Sequence, residues 1–241
     1  MKLSCLPVSF FPLILGGEMS IADWARLAAR AGLDAVDLSA LFFREREVDA
    51  ARTREEIEGA GLSVAVFNTY PDLTHPRAEE RARQMKMLRG EVQLAGELGA
   101  RMVRVTAGQA HPETGRKQGV DLAVEGLRRA AAWAERFGTA LAYENHSQPG
   151  IWDYPDFSYP GEIFLEIAGR LEGSGVEVLF DTANPVTRGE DPLAILDRVA
   201  DRLICVHVAD TARAGAMEWV RVGTGAVPIR EVFAVLQARG Y

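Results

Sequence analysis

The stretch that decides the fold is Ala140-Leu-Ala-Tyr-Glu-Asn-His146, where four apolar or aromatic residues lead directly into three polar ones. The apolar half predicts a buried strand. The same design returns in Val176-Glu-Val-Leu-Phe-Asp-Thr-Ala-Asn184 and in Leu203-Ile-Cys-Val-His-Val-Ala-Asp210. The three apolar runs lead to Glu144, Asp181 and His207. One Glu, one Asp and one His form the ligand set of an oxygen and nitrogen metal site, provided that the three strand ends meet.

A regular alternation of helix and strand surrounds these stretches. Glycine follows a helical pattern and an apolar strand begins at once, as happens at Gly61, Gly99, Gly138 and Gly175. Glycine past a helix end supplies the left-handed residue that caps the last carbonyls. The first strand is predicted over residues 3–10. Helices are predicted over residues 21–31, 49–60, 77–98, 119–137, 160–171, 191–199 and 228–239.

Seven strands alternating with seven helices predict right-handed crossovers and a parallel sheet. A doubly wound open sheet alternates in the same way. A TIM (β/α)8-type barrel is favoured because polar residues end strands five, six and seven, and in a closed barrel those ends share one rim. No linker or low-complexity segment divides the sequence, so residues 1–241 are expected to form a single domain.

The end of the sequence conflicts with a complete barrel. Ala238-Arg-Gly-Tyr241 resembles the helix exit that precedes another strand, yet an eighth strand does not follow. Either the sequence is truncated, or the barrel closes without this strand, or a partner subunit of a homo-oligomer supplies it. Truncation is the preferred interpretation, which makes the barrel C-terminally incomplete.

Composition limits the classes of function. The 241 residues are 48% hydrophobic and 25% charged, which is typical of a globular protein with a full core. The net charge of −7 argues against a nucleic-acid surface, which needs a basic patch. The sequence has neither a signal peptide pattern nor a membrane span, so a cytoplasmic protein is expected. The two cysteines, Cys5 and Cys205, lie in predicted strands and are expected to be buried free thiols.

Four motifs together resemble the xylose isomerase-like barrel superfamily, and within it the sugar phosphate isomerases and epimerases. The motifs are Tyr143-Glu-Asn-His146, Leu179-Phe-Asp-Thr-Ala-Asn184, Val206-His-Val-Ala-Asp210 and Val222-Gly-Thr-Gly225. Each motif is weak by itself, but four in the same order are fairly specific for the superfamily. They are much less specific for a substrate.

The resemblance implies roles for individual residues. Glu144, Asp181 and His207 match three ligands of one divalent ion, which could be Mn²⁺, Mg²⁺, Co²⁺ or Zn²⁺. Glu144 also matches the carboxylate that takes a proton from the carbon next to a carbonyl. The predicted substrate-binding residues are Arg213, Asn184 and His146. Two alternatives stay open: Arg213 as a solvated loop arginine and His146 as the cap of a turn.

The sequence departs from the superfamily pattern in three respects. The fourth ligand, a Glu on strand eight that also serves epimerases as second acid/base, would lie beyond Tyr241. Asn184 stands where epimerases often carry His. The sequence has four histidines, too few for the multi-metal cluster of the related nucleases, and two of them, His75 and His111, are expected in loops.

The sequence therefore predicts a metal-dependent isomerase or epimerase that acts on a sugar or sugar phosphate. Proton abstraction next to a carbonyl would give an enediolate, stabilised by the metal. Two alternatives stay open. The same site could serve a dehydratase of a polyol or keto sugar, or the barrel could bind a small molecule without catalysis.

Overall fold

A seven-stranded parallel sheet, with strands in sequential order, forms the centre of the protein in a computed structural model. The structure describes residues 1–44 and 49–241. The strands are β1 Ser4–Cys5, β2 Ala35–Ser39, β3 Ser63–Asn68, β4 Met102–Val105, β5 Ala140–Glu144, β6 Val176–Asp181 and β7 Leu203–His207. With helices between the strands, the sheet curls into an incomplete TIM barrel, as predicted.

Helices connect successive strands. Their bounds are α1 Phe11–Gly16, α2 Ile21–Arg30, α3 Ala50–Gly59, α4 Ala78–Glu97, α5 Arg116–Arg136, α6 Gly161–Arg170, α7 Asn184–Thr187, α8 Pro192–Val199 and α9 Ile229–Ala238. Short 3-10 helices cover Val8–Phe10, Ala40–Phe42 and Ala200–Arg202. Ser20 begins α2 with a capping box: its hydroxyl accepts from the Asp23 amide, and the Asp23 carboxylate accepts from the Ser20 amide. The glycines predicted to end helices have positive φ, for example Gly138 at 71°.

The first predicted strand is wrong over most of its length. Residues 3–10 were expected to be extended, but β1 ends at Cys5 and Val8–Phe10 forms a 3-10 helix. Pro7 has no amide hydrogen for a strand ladder, and the proline at residue 12 fits the first turn of α1. The short helices α1 and α7 are additional to the seven that the sequence predicts.

Apolar side chains fill both faces of the sheet. The large core lies between the sheet and the helices and includes Phe67, Leu88, Leu127 and Phe164. A smaller cluster inside the barrel consists of Val66, Met102, Ala142 and Leu179. Since parallel strands are covered on both faces, they are apolar nearly throughout. A polar side chain near the end of such a strand therefore marks a candidate functional residue.

The barrel is open between its first and last strands. β1 pairs with β2, β7 pairs with β6, and no pairing between β1 and β7 occurs in the described part of the chain. The expected burial of Cys5 is wrong: it is exposed, at this open edge, whereas Cys205 is partly buried. Both are free thiols, as expected. Among the described residues, no helix is both long and apolar enough to cross a bilayer.

Candidate functional site

Three side chains meet at the carboxyl ends of neighbouring strands. Glu144 is the last residue of β5, Asp181 of β6 and His207 of β7, and Asp181 pairs directly with His207. One ligand atom from each of the three lies within 4.8 Å of the others. The structure therefore brings together the predicted metal ligands, because parallel strands in register end at one rim.

Glu144 is the most enclosed member of this cluster. Its Oε1 lies 2.7 Å from Nδ1 of His207, and its side chain is 1% exposed. Burial opposes its negative charge, but Arg104, His207 and His146 outweigh burial and hold the pKa of Glu144 at about 2. The carboxylate is therefore ionised at neutral pH.

Arg104 is a residue that the sequence reading missed. It lies on β4, with its side chain 3% exposed, and its Nε is 3.0 Å from Oε2 of Glu144. The same Nε–H donates to Oδ1 of Asn68, and Nη1 donates to the Thr69 carbonyl. Its guanidinium also lies 4.8 Å from the centre of the Tyr70 ring. An arginine inside a four-residue apolar strand was the available signal, because a buried charge needs a partner.

Asp181 has a different environment. Its Oδ1 accepts from the backbone amides of Ala183 and Asn184, at 2.8 and 2.9 Å. Burial and the negative charge of Glu144 raise the pKa of Asp181 to about 6, although His207 and the two amides act in the opposite direction. Two carboxyl groups with separated pKa values thus share the site.

Two asparagines join the ends of β5 and β6. The Asn145 side chain accepts from the Asp181 amide and donates to the Asp181 carbonyl, at 2.7 and 2.9 Å. Asn184 donates its side-chain amide to the Asn145 carbonyl at 2.9 Å. These bonds fix the spacing of Glu144 and Asp181. Because the side-chain amide of Asn184 already donates to Asn145, the contact of Asn184 with a substrate stays a prediction.

His146 lies against the cluster, whereas Arg213 lies on the surface. Nε2 of His146 is 3.9 Å from Oε2 of Glu144, and burial lowers the pKa of His146 to about 4. A neutral imidazole there fits the predicted contact with a substrate oxygen. The side chain of Arg213 is 71% exposed and pairs with Glu218 at 2.6 Å. The structure does not bring Arg213 into the cluster, and its substrate-binding role also stays a prediction.

A buried carboxylate organises the loop after β7. Asp210 accepts from the amides of Gly223, Gly225 and Val227, at 2.9, 2.8 and 3.1 Å. A Cβ on Gly225 would lie 2.2 Å from the Thr211 carbonyl oxygen. Gly225 of the fourth motif is therefore required by this close approach, whereas Gly223 has a positive φ of 84°, a conformation that favours glycine.

Residues 25–241 match the xylose isomerase-like TIM barrel family. The chain belongs to this family. The match covers most of the chain and confirms the resemblance carried by the four motifs.

Relatives within the xylose isomerase-like family carry different activities. A candidate hydroxypyruvate isomerase of Streptomyces coelicolor is 29% identical over 95% of this chain and 85% of its own length. An inosose dehydratase of Geobacillus thermodenitrificans is 24% identical over 94% of this chain and 81% of its own. A D-psicose 3-epimerase crystallised in the presence of D-fructose superposes with a TM-score of 0.79 at 16% identity, covering 100% of this chain and 82% of that one. The family thus includes enzymes of more than one reaction type.

Proposed function

We propose that this protein is a divalent-metal-dependent isomerase or epimerase of a small sugar or sugar phosphate. The observation that carries the proposal is the convergence of Glu144, Asp181 and His207 within 4.8 Å at the ends of three neighbouring strands. The family relatives named as isomerase and epimerase support the same reaction class.

The donor set fits a divalent ion. Two carboxylates and one imidazole would hold Mn²⁺, Mg²⁺, Co²⁺ or Zn²⁺. In residues 1–44 and 49–241, the buried Nε2 of His207 has no hydrogen-bond partner, and the buried Oε2 of Glu144 has the Arg104 ion pair but no hydrogen bond. A buried polar atom without a partner is costly, and a cation would satisfy Nε2 of His207 and offer Oε2 of Glu144 a further positive charge. When bound, the ion would act as a Lewis acid and polarise a substrate carbonyl and the neighbouring hydroxyl.

Glu144 is the proposed base. Its pKa of about 2 keeps the carboxylate ionised at neutral pH, which is the form that can accept a proton from the carbon next to the carbonyl. Arg104, at 3.0 Å, keeps this carboxylate ionised inside the barrel. His146, held neutral by burial, is placed to hydrogen-bond a substrate hydroxyl. The two asparagines keep the β5 and β6 ends at a fixed spacing while the proton moves.

A dehydratase is the second candidate, favoured by the inosose dehydratase relative. It would begin with the same proton abstraction, but the intermediate would lose a hydroxyl group as water. Glu144 would hold the first proton in either reaction. The products separate the two reactions, because isomers and epimers keep the mass of the substrate and a dehydrated product loses one water.

The test is a substrate panel of ketoses, ketose phosphates, hydroxypyruvate and inososes, incubated in D₂O with a metal-loaded protein. Deuterium entering the carbon next to the carbonyl, read by NMR, is expected with at least one substrate and should disappear in Glu144→Gln. Glu177→Gln is the matched control, because Glu177 lies near the start of β6, four residues before Asp181, and so at the opposite end of the strand from the rim. Binding without deuterium exchange in the whole panel would favour a non-catalytic barrel and overturn the proposal.

A further inference from the structure

A second group of metal-binding side chains lies outside the Glu144 cluster. The loops after β3 and β4 bring Asp72, His75 and His111 together, with one ligand atom from each within 4.8 Å of the others. Asp72 is buried, and both histidines are half-buried. We propose that His75 and His111 bind a divalent transition-metal ion at a second site, apart from the proposed catalytic site, with Asp72 as the hydrogen-bond partner that orients His111.

Asp72 orients His111 for ligation. Oδ2 of Asp72 lies 2.7 Å from Nε2 of His111, so this ring nitrogen donates its proton to the carboxylate. The backbone amide and side-chain amide of Gln109 donate to the two oxygens of Asp72, at 2.9 and 3.0 Å. The carboxylate is thereby fixed, and Nδ1 of His111 carries the lone pair. A histidine that ligates through one nitrogen and donates the other to a carboxylate is the usual arrangement of protein metal sites.

His75 provides the second imidazole. The two rings are edge to face, with 4.6 Å between their centres. Nδ1 of His75 accepts from the Arg77 amide at 3.1 Å, which leaves Nε2 for the ion. Ligation through Nε2 moves the ring proton to Nδ1, so the bond from Arg77 is given up when the ion binds. His75 and His111 lie on different loops, and a shared ion would tie these loops together.

The surrounding charges select the class of ion. Arg81 donates to the carbonyls of His75 and Pro76, which places a positive charge beside the site. The carboxylate of Asp72 is already engaged by His111 and Gln109, so an alkaline-earth ion, which needs oxygen ligands, would lack a carboxylate to balance its charge. Imidazole nitrogens bind Zn²⁺, Co²⁺, Ni²⁺ and Cu²⁺. We therefore assign the site to these ions and exclude Mg²⁺ and Ca²⁺.

Solvent reaches the site through a cavity of about 510 Å³ that Asp72, His75 and His111 help to line. Gln84, Gln109 and Trp152 form other parts of its wall. The cavity gives an ion a path of entry and leaves room for water to complete its coordination.

Two substitutions each remove one ligand nitrogen. Each replacement can still form the hydrogen bond that the histidine side chain makes in the folded protein. In His75→Asn, the amide oxygen takes the place of Nδ1 and can accept from the Arg77 amide. In His111→Gln, the amide nitrogen takes the place of Nε2 and can donate to Asp72. Both variants are made in the full chain carrying Glu144→Gln and Asp181→Asn, so that the first site does not contribute.

The measurement is Co²⁺ and Zn²⁺ binding to chelator-stripped protein, by calorimetry and by metal analysis after desalting. One ion per chain is expected with the second site intact. The affinity should fall by at least about 10–100-fold in His75→Asn and in His111→Gln, because the loss of a hydrogen-bond partner of a ligand alone has an effect of this size. An excess of Mg²⁺ should not compete. Unchanged affinity in both variants, or no binding with the second site intact, would overturn the proposal.

A measurement on the unsubstituted chain covers the case in which a variant does not fold. Ring ¹⁵N resonances of the histidines are recorded during a Zn²⁺ titration. We expect the signals of His75 and His111 to shift together. A shift confined to His207 and His146 would refute the second site while leaving the proposed catalytic site in place.

Discussion

Asp156 gives the sharpest test of the electrostatics of this barrel. Its side chain is 0% exposed, and its Oδ1 accepts from the amide and the hydroxyl of Ser158 at 2.7 and 2.6 Å. Its Oδ2 has no hydrogen-bond partner within the described ranges. Burial raises the pKa of Asp156 to about 7, despite the bonds from Ser158. The folded protein therefore holds the proton of Asp156 more tightly than the unfolded chain does.

The substitution Asp156→Asn keeps a side-chain oxygen that can accept from Ser158 and removes the titratable carboxyl group. The folded pKa of about 7 lies above the ordinary value of 3.8, so the stabilising effect of the proton is complete below about pH 4 and is lost as the pH rises through 7. A difference of about three pH units corresponds to about 4 kcal/mol. Between pH 4 and pH 8, the free energy of unfolding of the wild-type protein should therefore fall by up to about 4 kcal/mol relative to that of the variant.

The assay is urea unfolding of both proteins, followed by circular dichroism at several pH values. Relative to the wild type, the variant should become progressively more stable from about pH 4 to pH 7, and the difference should level off above pH 7. Asp153→Asn is the matched control, because it makes the same chemical change at an exposed position of the same loop. A difference in unfolding free energy that stays constant from pH 5 to pH 8.5 would refute the reasoning.

Four further substitutions test helix packing, helix propensity, the β7 loop and the site. Gly119→Ala should lower the free energy of unfolding by about 1–3 kcal/mol, because its Cβ would lie 2.2 Å from an aromatic ring carbon. Gly90→Ala, an exposed helix position with nothing within 4 Å, should raise it by about 0.5–1 kcal/mol; urea titrations measure both. Asp210→Ala leaves three backbone amides without their acceptor and should cost about 3 kcal/mol or more, seen as a lower melting temperature. Arg104→Gln should raise the pKa of Glu144 and move the acid limb of the pH–activity profile to higher pH, and an unchanged limb would contradict the role of this ion pair.

The sequence by itself determined the alternation of strands and helices and the three strand-end ligands. Each depends on local information. Glycine after a helix end, an apolar run and a polar residue closing that run are all visible within about ten residues. Because parallel strands in register end at one rim, Glu144, Asp181 and His207 could be expected to meet before any coordinates existed. The early end of β1 also had a local signal, since Pro7 removes an amide hydrogen, but the apolar pattern concealed it.

Only the tertiary structure decided which neighbours those ligands have. Arg104 contacts Glu144 across 40 positions of sequence, and no local pattern pairs an arginine on β4 with a carboxylate on β5. The same holds for Asp72 and His111, which lie on the loops that follow the neighbouring strands β3 and β4. Burial, too, is a property of the folded chain, and it separates the pKa of Glu144, about 2, from that of Asp181, about 6. Sequence periodicity specifies where strands end, whereas the charge of a side chain at that end depends on every group that packs around it.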